Sequence, residues 1–363
     1  MRIAYANAFY ARNSTTGGNA HVGQFIDNAV ALGHEVWTWP GNEHPSSRRM
    51  PVTRLGRLRM IRQMDCLYAR VEYRLPRFGP WSRTPCRQVL GLPVVAWEFN
   101  TAPEFGLVVG RSESCVKRAV EEFRRHAHEC DIAVCVSGAL AEYVRENLGI
   151  KRVMTVPNGS DPGLFRPDVS PVERVQRSPD RLNVVWIGSA DLKWHNLELL
   201  RKTARLLWNQ GKKTDVAFHI IGQGLGLMSE MPPNVNYYGP ERYEMLPHWL
   251  ASMDIGLILY RPGPGDMSYP LKLFDYMASG LAVVATPQPQ VRDVFEELAQ
   301  MDLMVPQDDA EALAAVLLRL ASDRARIRQQ GRLGRQRVVE HYNWRRAVHD
   351  VVDALEKLRH DRS

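Results

Sequence analysis

The stretch from Tyr269 to Gly280 (YPLKLFDYMASG) places a cation and a carboxylate, Lys272 and Asp275, three residues apart and so on adjacent turns of a helix. Pro270 suits the first turn of that helix and Gly280 its end. An ammonium group there can neutralise phosphate, and a carboxylate can accept from both hydroxyls of a ribose. A second cation lies in GSADLKWHN (188–196), which leaves a strand and enters a helix; Ser189 and Lys193 sit where free helix N–H groups favour an anion. A solvated surface lysine would read the same way. Gly17 and Gly18 follow the first strand, where glycine lets backbone approach an anion, although most double glycines are turns. Gly222-Gln223-Gly224 opens like a dinucleotide fingerprint but continues Leu225-Gly226 without completing GxGxxG.

The basic character is local. Lys and Arg number 47 against 40 acids, a net +7, yet residues 48–87 alone hold eleven Arg, no Lys and the two acids Asp65 and Glu72, a local +9. Tyr68, Tyr73, Phe78 and Trp81 interleave these arginines, as in a nucleic-acid surface, but the strand at 66–71 reads as core and splits the cluster between faces. Around Leu55, Leu58 and Ile61, spaced by three, stand Arg54, Arg57, Arg59 and Arg62, giving a helix one apolar edge with a basic surround. Either that edge meets an anionic membrane surface or it packs on the core beneath a solvated basic face. The five cysteines show no CxxC pair and no metal-ligand spacing, so reduced thiols are expected. No clustered DxD-type pair stands in a strand context to hold Mg²⁺, and no metal is expected.

These residues need rigid elements behind them. With 363 residues, 45% hydrophobic and 24% charged, the chain is long enough for two globular domains. No run reaches the roughly 18 apolar residues of a membrane span, and the N-terminal run turns polar too early for a secretory signal, so a cytoplasmic location is expected. Short apolar runs at 2–6, 35–39, 66–71, 93–97 and 131–136 alternate with helical stretches at 20–32, 111–129 and 138–147, the pattern of a parallel sheet. A second series runs from 183 to 285 and is followed by helical segments with a break at His341-Tyr342-Asn343-Trp344. The expected division is a Rossmann-like domain at 1–167, an exposed linker at 168–182, a second Rossmann-like domain at 183–342 and a final helix at 343–363 returning to the first domain. Ligands of such sheets bind at the carboxyl ends of the strands.

Taken in order, the Gly-Gly loop, VCVSGAL (134–140), VPNGSDPGLF (156–165), IIGQG (220–224), the Pro270–Gly280 stretch with LAVVAT, and the closing YNW resemble the retaining nucleotide-sugar glycosyltransferases of group 1 with the GT-B fold. The likeness covers most of the chain. It implies an α/β architecture of two Rossmann-like domains facing a cleft, and transfer of a sugar from a nucleoside diphosphate sugar to an acceptor hydroxyl through an oxocarbenium-like transition state. It also implies no cofactor beyond the donor itself. On this resemblance Ser189, Lys193 and Lys272 neutralise the departing diphosphate, and Asp275 holds the ribose. Gly17, Gly18, Gly222, Tyr269, Pro270 and Leu271 approach donor oxygens. Many relatives end the strand that here reads PVVAWEFN with histidine; Glu98 stands at that place with Asn100 close behind, and both are candidate catalytic residues, the alternative being a structural strand end. The chain departs from the family's paired glutamates, with Asp275 at the second position and Met267, beside Asp266, at the first. Ser189 replaces an arginine, and Lys193 comes one place early.

The expected acceptor is anionic or lipid-linked, met at the Arg54, Arg57 and Arg62 patch, with peripheral contact to the inner face of the cell membrane and a place in polysaccharide, glycolipid or glycoconjugate biosynthesis. Nucleic acid is not expected as a partner. The competing readings are an NAD(P)-dependent oxidoreductase and a non-catalytic sugar-nucleotide or nucleic-acid binder; release of nucleoside diphosphate during turnover separates them.

Overall fold

The computed structural model describes residues 1–6, 17–71, 91, 93–175, 180–192, 194–211, 216–224, 231–261, 263, 267 and 270–361. The chain divides into two compact units. One comprises Met1–Asn158, a short piece containing Met267, and Trp344 to the end; the other runs from Gly159 to Asn343 apart from that piece.

In the first unit the described strands are β1 (Arg2–Ala6), β2 (Glu35–Thr38), β3 (Arg48–Arg49), β4 (Cys66–Val71), β5 (Val94–Phe99), β6 (Ile132–Cys135) and β7 (Val153–Thr155). They pair in parallel in the order β3-β2-β1-β4-β5-β6-β7. Successive side chains point to opposite faces, so each strand feeds two cores. Ala4, Leu67, Val95, Trp97 and Ala133 pack on one side with Phe123 and Leu140 from helices. Ile3, Tyr5, Tyr68, Ala96 and Val134 pack on the other with Phe25 and Ile26 of the helix Gly17–Ala31. That second face is also where the last helix, Trp344–His360, lies, because Val348, Val351, Val352, Leu355 and Leu358 recur at helical spacing and are buried there.

The second unit holds β8 (Leu182–Ser189), β9 (Val216–Gln223), β10 (Val235–Tyr237), β11 (Ile255–Ile258) and β12 (Ala282–Ala285), parallel in the order β10-β9-β8-β11-β12. The order reverses direction between β8 and β11, which makes their carboxyl ends the switch point of a doubly wound sheet. Two expected boundaries shift. Residues 159–167 belong to the second unit, because Phe165 is fully buried in its core and Ser160 bonds Asp275. The expected linker is exposed over most of its described residues but touches the second unit: Val175 is buried in that core, the Val172 N–H donates to His248 O at 3.1 Å, Arg174 lies 4.5 Å over the Trp249 ring, and Leu182 already opens β8. Residues 176–179 lie outside the described residues.

Close packing fixes the helix Leu271–Ala278 on this sheet. A Cβ at Gly256 in β11 would lie 2.2 Å from the Tyr276 ring, whose hydroxyl accepts from Ile187 N–H at 2.8 Å. Gly256→Ala is therefore expected to displace Tyr276 and cost about 1–3 kcal/mol, as overpacked cores do. Denaturant unfolding measures this, and an unchanged midpoint would contradict the packing.

Candidate functional site

At the switch point the segments that follow β8 and β11 are knit together: Asn196 N–H donates to Leu259 O at 3.0 Å and Arg261 N–H to Trp194 O at 2.9 Å. Asn196 also caps the helix Leu197–Asn209 by accepting from Leu199 N–H at 3.2 Å. Into this frame the helix Leu271–Ala278 brings both residues singled out by spacing. The Lys272 amine donates to Ile187 O at 2.9 Å and lies 4.8 Å from the Trp186 ring centroid and 5.0 Å from that of Tyr260. Aromatic faces hold a cation but solvate it less than water does, and burial brings its pKa down to about 7. Among the described residues no carboxylate pairs with it. The ammonium thus stands at the end of β8 ready for an anion.

One turn on, Asp275 is 4% exposed. Its Oδ1 accepts from Ser160 Oγ at 2.6 Å and from the Tyr243 hydroxyl at 3.1 Å. Burial pushes the carboxyl up to about 7, against the pull of these two hydroxyls. Pro270 precedes the helix in extended conformation, its carbonyl accepting from Leu273 N–H at 3.0 Å, and Leu271 opens it.

Ser189 ends β8, and its carbonyl accepts from His195 Nδ1 at 2.6 Å, which sets the proton on that nitrogen. His195, like the Asp275 partners Ser160 and Tyr243, is a residue of this site that sequence reasoning missed. It stands edge-on to Trp186 and Tyr260, and burial with the neighbouring Lys272 charge lowers its pKa to about 3, so it stays neutral. Its signal was the Trp-His-Asn following Lys193. Gly222 pairs with Gly188 across β8 and β9, and a Cβ there would meet Gly188 O at 1.6 Å; its lack of a side chain is a packing requirement between strand ends. Lys193, Tyr269 and Asp266 lie outside the described residues.

The first unit has its own polar centre, described by itself. Glu98 in β5 is 1% exposed. Its Oε1 accepts from Arg70 Nη1 at 3.1 Å and Asn100 Nδ2 at 2.9 Å and pairs with His21 Nε2 at 2.6 Å, while Oε2 accepts from the Tyr5 hydroxyl at 2.7 Å. Burial alone would raise its carboxyl, but His21, Arg70 and Tyr5 together hold it well below the usual carboxylate range. With both oxygens engaged and its charge stabilised, Glu98 holds its neighbours in place. It anchors Asn100, which remains partly exposed at the strand end, and Arg70, whose guanidinium lies beside Gly18 near the start of the helix Gly17–Ala31. His21 and Arg70 carried faint signals: a histidine just past Gly-Gly, and an arginine inside the apolar strand CLYARV.

Tyr68 is buried between Tyr5 and Phe25 and offers nothing to a nucleic-acid face; Tyr73, Phe78 and Trp81 lie outside the described residues. The helix Arg54–Ile61, capped by Thr53, carries Arg54 and Arg57, with Arg62 at its end. Its apolar edge is divided: Met60 and Ile61 pack on the core, whereas Leu55 is 59% exposed beside Val52 at 66%. Among the described residues no helix is long and apolar enough to cross a membrane, and no three His, Cys, Asp or Glu cluster as metal ligands would.

Residues 181–323 match the model of the family Glycosyl transferases group 1. The chain is 26% identical over 247 residues to MMP alpha-(1→4)-mannosyltransferase of Mycolicibacterium hassiacum, covering 66% of this chain and 57% of that protein. It spans about half the length of the curated relatives it matches, 46% for one from Bacillus subtilis. Among solved structures it superposes on sucrose-phosphate synthase from Thermosynechococcus elongatus with a TM-score of 0.71 at 16% identity, over 99% of both chains. HepE of Anabaena in complex with UDP gives 0.70 at 12%, over 98% of this chain and 100% of that one. At such identities the superpositions show the fold, that of GT-B proteins.

The raised pKa of Asp275 has a consequence for stability. An unfolded aspartate titrates near pH 4, so folding takes up a proton between about pH 4 and 7. The neutral carboxyl favours the folded state at the acid end of that window, and the contribution is lost as pH rises through about 7. Asp275→Asn keeps an acceptor for Ser160 and Tyr243 and removes the titration. It is expected to gain on the parent by about 1.4 kcal/mol per pH unit across that window. Thermal unfolding at pH 5 and pH 8 measures the gain, and a constant difference would show that Asp275 does not titrate there.

Proposed function

We propose that this chain, which carries a Glycosyl transferases group 1 domain at 181–323 on the GT-B fold, is a glycosyltransferase that moves a sugar from a nucleoside diphosphate sugar to an acceptor hydroxyl with retention. The observation that carries the reading is the delivery of Lys272 and Asp275, by one helix, to the switch point of the second sheet. The UDP bound to HepE and the mannosyl transfer named for the Mycolicibacterium protein support a nucleoside diphosphate sugar donor.

In this reading the leaving diphosphate is neutralised by Lys272, and Ser189 and Lys193 are assigned to the same task, so that negative charge developing on the departing oxygen meets a fixed cation. Protein cations take the part a metal would otherwise play. Asp275 accepts from the ribose hydroxyls. Pro270 and Leu271, which open the helix of Lys272 and Asp275, are assigned to donor oxygens in this reading. Asn100, held by Glu98, faces the acceptor side, and Glu98 acts through it. A nicotinamide reading is disfavoured because Gly222-Gln223-Gly224 continues Leu225-Gly226 without completing the GxGxxG fingerprint. Biosynthesis of a polysaccharide, glycolipid or glycoconjugate is the setting of this reading, favoured by the name of the Bacillus subtilis relative, a putative teichuronic acid biosynthesis glycosyltransferase.

Two measurements test this. Nucleoside diphosphate affinity requires a charged Lys272, lost as pH rises above about 7, and an ionised Asp275, lost as pH falls below about 7. The expected profile is a bell centred near pH 7; Lys272→Met removes the alkaline limb and Asp275→Asn the acid limb, each lowering peak affinity about ten- to a hundredfold. Titrations of UDP, GDP and ADP, followed by release of the diphosphate from the matching sugar nucleotide, check it. Absence of both binding and release sinks the proposal.

An anionic or lipid-linked acceptor is favoured by Arg54, Arg57 and Arg62 around exposed Val52 and Leu55. Co-sedimentation with anionic vesicles is expected to weaken with salt and to fall when the three arginines become Gln. Equal recovery with neutral vesicles would place the acceptor in solution.

A further inference from the structure

Ser160 and Tyr243 are far apart in sequence and were not singled out by any motif chemistry, yet both hydroxyls donate to the same oxygen of Asp275. Each is fixed from behind. Ser160 is fully buried, its N–H donates to Tyr342 O at 3.0 Å, and it forms a parallel bridge with Asn343. The Tyr243 ring packs 5.2 Å from Phe165, itself fully buried. Two fixed donors on Oδ1 pin the plane of the carboxylate, a constraint that a single flexible donor could not impose.

Resting on the donor reading above, we propose that Ser160 and Tyr243 are positioning residues that hold the Asp275 carboxylate in the orientation that receives the ribose of a nucleoside diphosphate. The hydroxyls stabilise the charged form of a carboxyl that burial disfavours, so without them Asp275 protonates at higher pH and ceases to accept. The other groups facing it do not substitute. Asp161, next to Ser160, repels the negative charge; Tyr276, on the same helix, gives its hydroxyl to Ile187 N–H as acceptor; and the Lys272 amine is turned to Ile187 O. Arg335, from the helix Arg324–Glu340, spends its guanidinium on the carbonyls of Pro162, Phe165 and Ala278.

Ser160→Ala, Tyr243→Phe and the conservative Ser160→Thr test the proposal through two readouts on the full chain. The first is the pH midpoint of the Asp275-linked change in thermal stability; the second is the pH dependence of affinity for UDP, GDP and ADP. Ser160→Ala and Tyr243→Phe are expected to move both midpoints upward by about one pH unit, giving about tenfold weaker binding below them, while Ser160→Thr keeps the parent profile. In the Asp275→Asn background, which already lacks the acid limb, Ser160→Ala is expected to leave the remaining profile unchanged. Weaker binding with unmoved midpoints would overturn the positioning roles, since a packing defect has no reason to change the titration. Midpoints that move while no nucleoside diphosphate binds the parent would overturn the donor reading and leave the hold of the two hydroxyls on Asp275 standing.

Discussion

A carboxylate removed from water must be compensated or neutralised, and in the second unit that demand falls on Asp275. Two hydroxyls meet it in part, and burial still brings its pKa to about 7. Much of the surrounding architecture follows from keeping those hydroxyls in place. Ser160 must stay joined to Tyr342 and Asn343, and Phe165 must remain in the core beneath Tyr243. That is why residues 159–167 belong to this unit. Tyr276 wedged over Gly256 keeps the helix of Asp275 seated on β11.

Lys272 states the same tension with the opposite sign. Its amine has a carbonyl and two aromatic faces, enough to stay in place but too little to keep the charge fully stabilised. On the proposed donor reading, a site whose acid and base both sit near neutrality gains from a ligand that supplies a diphosphate and a diol together. Neither group is satisfied by the protein alone, and such incompletely solvated charges mark functional sites more often than structural ones.

Glu98 shows the contrasting outcome. Arg70 and Tyr5 from two strands, His21 from a helix and Asn100 from just beyond β5 converge on it, so its charge is compensated and fixed. A buried carboxylate with donors on both oxygens organises its neighbours and does little chemistry itself. Two buried acids, one in each unit, thus differ in role because of the number and charge of the donors that reach them.

The order of strands and helices was legible in the sequence because apolar periodicity is local: RIAYA, CLYARV and LAVVA are strands in the fold, and the spacing of Val348, Val351, Val352 and Leu355 makes the last helix amphipathic. The Lys272 and Asp275 pair was legible for the same reason, since three residues along a helix fix which turn each side chain occupies. What the sequence could not carry was the identity of distant partners. Ser160 lies 115 residues from Asp275, and Tyr5 lies 93 from Glu98. The division of the apolar edge at Ile61 and Leu55, the burial of Val175 and the convergence of donors on Glu98 likewise depend on which surfaces fold against one another. Local spacing determines which groups point together from one element, whereas the solvation and charge of those groups are set by atoms that only the tertiary fold brings near.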